Sequence, residues 1–190
     1  GIGAGTVLRR DVPENARLVV DAAPHSINRP IAARRYPHLL RIVQNNVRYI
    51  ANLLALEQWY RHARRPFLAE QELGLTLFEG ALDKLTLAKK ERIKRLQDMA
   101  ATMPQALEKI RNAADEIDAR RKKEFHEKIG ALLGVFDKGL EAQAGRDERE
   151  AFLPQLETAR QPAGDYLAAV KTLSWSAKAQ GTAWLQAIVD

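Results

Sequence analysis

A chain of 190 residues, 46% of them hydrophobic, is long enough for one substantial domain and a small appendage, which excludes a fibrous or wholly disordered protein. It has no cysteine, which excludes thiolate metal sites, cysteine nucleophiles and a disulfide framework. Thirty Lys and Arg against twenty-four Asp and Glu leave a formal charge of +6, which favours anionic over cationic partners.

Residues 1–20 are short-range and turn-rich, with Ile2, Val7, Val12, Val19 and Val20 set among Gly, Pro and Asn, a pattern that disfavours helix. Gly1-x-Gly3-x-Gly5-Thr6 is no phosphate-cradling loop, because Val7 to Pro13 cannot supply the helix whose N-terminus such a loop requires. Arg9, Arg10 and Asp11 stand where a secretory signal would place an apolar segment. The chain opens on Gly1 inside a motif, so it reads as a piece of something longer. Residues 21–35, with Pro24 and Pro30 and no sustained period, read as a connector.

From Tyr36 the pattern turns helical, with Leu39, Leu40, Val43, Val47, Ile50, Leu54 and Trp59 holding one face. Arg61, His62, Arg64 and Arg65 crowd the expected last turn, and Pro66 reads as the stop. A second helical segment is predicted over 68–101, with Gly74 and Gly80 weakening its first half, and Thr102-Met103-Pro104 as the break after it. A third is predicted from Pro104 to about Ala144, interrupted by Asp118-Ala-Arg-Arg-Lys-Lys-Glu124, a run polar enough to project into solvent. Gly145 offers a stop, Asp147 an N-cap, Pro154 the first turn of a continuation, and Gln161-Pro162 the opening of a last segment that contains Trp175 and Trp184. So weakly charged an end is expected to pack rather than stand exposed. Helices of 30 to 40 residues, as these segments imply, bury themselves by packing side by side, so 36–190 is expected to be a helical bundle. No run of about eighteen apolar residues is present, so no membrane partner is expected.

Ile2-Gly-Ala-Gly-Thr-Val7 fits a six-residue repeat with an aliphatic first and a small fifth position, and Leu8-Arg-Arg-Asp-Val-Pro13 keeps both while placing Arg9 where Gly or Ala is usual. The run Ile2 to Val20 therefore resembles the terminal coil of a hexapeptide-repeat protein, a left-handed β-helix, over roughly a tenth of the chain. The fold class implied is mainly α, a long-helix bundle preceded by a terminal left-handed β-helix coil. In hexapeptide-repeat acyltransferases the exit coil continues through a Val-Val-Gly-x-Pro-Ala loop near coenzyme A. Here it is Val19-Val20-Asp21-Ala22-Ala23-Pro24, and Asp21 in place of Gly argues against that cofactor; none is expected. The resemblance extends to bacterial hexapeptide-repeat proteins related to sugar-nucleotide transferases, which carry a large C-terminal helical domain. It implies a cytoplasmic, transferase-like parent that forms homo-oligomers, usually trimers, through its β-helix, with any catalytic His in earlier coils.

The helical part shows no catalytic constellation in its sequence. His25, His38, His62 and His126 are isolated, with no Glu three residues before any of them; Ser26, Ser174 and Ser176 lack an elbow motif; and Glu79 and Asp83, though four residues apart on one helical face, read as solvated. The candidate anion-binding residues are the two basic clusters, Arg61, Arg64 and Arg65, and Lys89, Lys90, Arg92, Lys94 and Arg95, with Trp59 and Tyr60 placed to stack beneath a ligand. Two functions are therefore expected of the chain: a noncatalytic helical module that serves assembly or shapes a site elsewhere, or a module that binds nucleic acid or a sugar-nucleotide phosphate.

Overall fold

Apolar residues at helical spacing dominate the chain beyond Leu39, and the computed structural model, which describes residues 38–108, 116–137, 142–163 and 165–190, makes every element among them helical. These residues belong to one compact unit, bounded by Ala33 and Asp190. The β-helix coil expected at 1–20 and the connector expected at 21–35 lie outside the described residues.

Helix α1 spans Leu39–Trp59 and buries Leu39, Ile50 and Leu54 on the face read from the sequence, while Leu40 faces solvent. Pro66 does not stop it. The chain passes through a π-helical turn, Tyr60–Arg64, into α2, Arg65–Ala69, which has Pro66 in its first turn. The Arg65 N–H bonds to the Tyr60 carbonyl five residues back, and this widened register leads directly into Pro66, which has no N–H to give.

The second long helix, α3 (Gly74–Ala101), begins later than its composition suggests. Its corner is Leu73, in the left-handed region at φ 59°, and a Cβ on Gly74 would lie 1.7 Å from the Leu68 carbonyl oxygen. Gly74 therefore lets the chain pass close to Leu68 at the start of α3, and is not a weak point inside the helix. After Thr102 come α4, Met103–Leu107, and α5, Glu116–Gly134. The polar run 118–124 is not wholly in solvent. Lys122 is completely buried, and its Nζ donates to Asp118 Oδ2 at 2.6 Å, one helical turn away.

Helix α6, Arg146–Ala163, follows Gly145 and contains both Pro154 and Pro162, so neither opens a segment. Pro154 is exposed, and so is Glu150, the residue whose carbonyl is left without its helical partner because proline has no N–H. Two short helices follow, each N-capped by a side chain: α7, Tyr166–Thr172, by Asp165, and α8, Trp175–Val189, by Ser174. Of the two tryptophans expected to pack, Trp184 is fully buried and Trp175 is 85% exposed.

The core has two parts. Phe67, Phe152, Leu156 and Trp184 centre one, formed by the π turn, α2, α6, α7 and α8. Ile50, Leu96, Met103 and Leu133 centre the other, formed by α1, α3, α4 and α5. Ile188 of α8 packs against both. No described helix is long and apolar enough to cross a membrane.

Candidate functional site

The two basic clusters lie near one another, because α1 and α2, the helices on either side of the π turn, both pack against α3. Glu57 joins them. Its Oε1 accepts from Arg61 Nε at 3.0 Å and Nη2 at 2.7 Å, and its Oε2 lies 3.8 Å from Lys89 Nζ. Arg64 stacks over Tyr166, 3.9 Å from the ring centroid, and Arg65 stands 5.9 Å from the Phe78 ring. Arg92 lies 4.1 Å above Tyr49, and its Nη1 donates to Asn46 Oδ1 at 3.2 Å. Lys94 pairs with Asp98 at 2.7 Å. Lys90 and Arg95 are exposed and form no ion pair among the described residues.

Most of the sequence-predicted cations are thus engaged within the chain, by carboxylates or by aromatic faces. Glu57 was readable in advance as the acidic partner four residues before Arg61. Asn46, Tyr49 and Tyr166 were not, since each meets its arginine only through tertiary packing. A cleft of about 580 Å³ opens between α1 and α3, lined in part by Asn46, Glu91, Arg92, Lys94, Arg95 and Asp98. Asn46 is buried there, and its Nδ2 donates to the Ile42 carbonyl at 2.7 Å, which fixes the amide oxygen toward Arg92.

A second cleft, of about 550 Å³, lies beside the π turn and is lined by Leu56, Trp59, Tyr60, Arg64, Tyr166 and Leu167, among others. Trp59 and Tyr60 do not lie free beneath the cations. Trp59 stacks on Phe152 with ring centroids 5.5 Å apart, and its Nε1 donates to Tyr166 Oη at 3.0 Å. His62 packs against the edge of Trp184, with Nε2 3.2 Å from Gln58 Oε1. Burial first, then the charges of Arg149 and Arg61, hold the His62 pKa below the usual histidine value. Of the other residues weighed for chemistry, His126 is exposed with Nδ1 2.9 Å from the Ala100 carbonyl oxygen, Ser174 is a helix cap, and Glu79 and Asp83 are exposed. His25 and Ser26 lie outside the described residues. No group of three or more His, Asp or Glu suited to a metal ion occurs among the described residues.

Large apolar side chains, by contrast, remain uncovered. Leu77 is 61% exposed and Leu87 52%, both on α3 away from its buried Phe78 and Leu96, and Leu73, at the corner before the helix, is 72% exposed. Leu75 is exposed on another side of the same helix. No family model, no curated protein and no solved structure matches this chain.

Proposed function

We propose that the helical bundle is a noncatalytic association module, appended to a hexapeptide-repeat, transferase-like protein, that holds copies of the chain together and so shapes sites formed elsewhere in the parent. The observation that supports this reading is the uncovered leucine face of α3. A long amphipathic helix normally turns its leucines inward, and exposed Leu77 and Leu87 on its solvent side, with exposed Leu73 at the corner before it, mark a contact surface. The basic clusters give less support to a ligand site, because their cations are largely engaged with Glu57, Asp98 and the rings of Tyr49 and Tyr166. Sedimentation of the 190-residue chain over a range of concentrations tests the reading. Reversible self-association is expected, and a monomer at every concentration overturns it.

The cleft between α1 and α3 favours a second reading, in which a phosphate group of a nucleic acid or sugar nucleotide binds to Arg92 and Arg95. Such binding weakens as salt rises and is reduced by Arg92→Gln or Arg95→Gln. Affinity independent of salt rejects it.

A further inference from the structure

We propose that the groove between α1 and α5 binds an amphipathic anion, a single-chain carboxylate whose hydrocarbon tail lies on the apolar floor and whose head group meets Arg121 and Lys128. The site shares no residue with the leucine face of α3, so it stands or falls apart from the association reading. The α1 wall of the groove is Leu39, Leu40 and Val43, and the α5 wall is Phe125, Ile129 and Leu132. Val43, Phe125 and Ile129 are half-buried on the outside of the second core cluster, and Leu40 stays 55% exposed. The three α5 side chains recur at intervals of four and three residues, so they form one apolar strip about 10 Å long. The groove holds about 400 Å³. Mostly apolar walls with a few polar groups at one edge are what a small amphipathic molecule requires.

Charge selects an anion. At about 100° per residue, the groove-lining side chains of α5 follow round the helix in the order Ile129, Phe125, Leu132, Arg121, Lys128, Glu124. The two cations therefore border the apolar strip, and Glu124 lies beyond them. Arg121 and Lys128 are exposed and form no ion pair among the described residues. The facing wall adds no negative charge, since α1 has no carboxylate in its first turn and none before Glu57, near its far end. A floor that is apolar and an edge that is net positive favour a carboxylate over an alcohol or an amine of the same length.

Titration calorimetry of the full chain with decanoate, decanol and decylammonium, each below its micellar concentration, tests the site. Saturable binding is expected, with decanoate bound most tightly and decylammonium least. Octanoate should bind roughly tenfold more weakly than decanoate, because two buried methylenes are lost. Removing both cations together, by Arg121→Gln and Lys128→Gln, is expected to lower decanoate to the affinity of decanol and to leave decanol unchanged. Glu124→Gln is expected to tighten decanoate about twofold. Leu40→Gln, at an exposed position in the groove, should weaken all three ligands, and Leu87→Gln, similarly exposed but on α3, should weaken none. Decylammonium bound as tightly as decanoate, an advantage of decanoate over decanol that survives loss of both cations, or equal effects of Leu40→Gln and Leu87→Gln overturns the site. So does the absence of saturable binding. If Leu40→Gln then lowers the sedimentation coefficient, the groove is a contact between copies of the chain instead.

Discussion

At the scale of single residues, Gly145 and His62 carry the firmest expectations. Gly145 lies at φ +62°, and a Cβ there would stand 2.7 Å from the Trp184 carbonyl oxygen and 2.8 Å from its Cα, both backbone atoms of a helix that cannot yield cheaply. Gly145→Ala is expected to cost about 1–3 kcal/mol, whereas Gly130→Ala, inside α5 with open space around it, is expected to gain about 0.5–1 kcal/mol. Urea midpoints of the two variants should move in opposite directions. His62 supplies a pH dependence. Its folded pKa lies below its unfolded value of about 6.5, so the unfolded chain takes up the proton more readily. Its effect on stability is nil well above that value, and stability falls as pH drops through it, levelling off below the folded pKa. The thermal midpoint should therefore decline between about pH 7 and pH 5 more steeply in the parent chain than in His62→Gln. Equal slopes would remove His62 from the account.

Helices are where the sequence was most legible, and where its punctuation misled. The stripe through Leu39, Ile50 and Leu54 identifies the buried face of α1 because a buried helix face must repeat near 3.6 residues. Pro66, Pro154 and Pro162 each read as a boundary; Pro66 and Pro154 lie within continuous helical chain, and Pro162 lies one residue before the end of α6. A proline breaks a helix only where its missing hydrogen bond and its ring cannot be accommodated. A π turn precedes Pro66 and solvent lies beside Pro154, neither of which a linear pattern reveals. The true boundaries between the last helices are side-chain caps. Asp165 Oδ1 accepts from the Ala168 N–H at 2.9 Å, and Ser174 Oγ from the Ala177 N–H at 3.1 Å. Replacing either by Ala is expected to cost about 1 kcal/mol, and replacing either by Asn very little, as measured by urea unfolding. Equal losses in the Ala and Asn variants would show that packing, and not capping, sets these corners.

For the molecule as a whole, what the sequence could not reveal is which elements meet. Lys89 and Arg61 are 28 positions apart, and only the packing of α1 beside α3 brings both to Glu57. The same packing divides the core into two clusters that share Ile188. Their connection can be tested, because Trp59 and Trp184 both lie in the first cluster and Leu96 is wholly buried in the second. Leu96→Ala leaves a cavity among Ile50, Met99 and Met103 and is expected to cost about 2–5 kcal/mol. If the two clusters unfold as one cooperative unit, that loss must appear in tryptophan fluorescence, which reports the first cluster, at the same denaturant midpoint as in circular dichroism, which reports all the helices. A fluorescence midpoint left at its parent value while the helical signal falls early would mean that α1, α3, α4 and α5 melt on their own. Contacts such as those of Ile188, of Trp59 on α1 with Phe152 on α6, and of α1 with α8 argue for coincidence, since the first cluster cannot remain packed once α1 has left it.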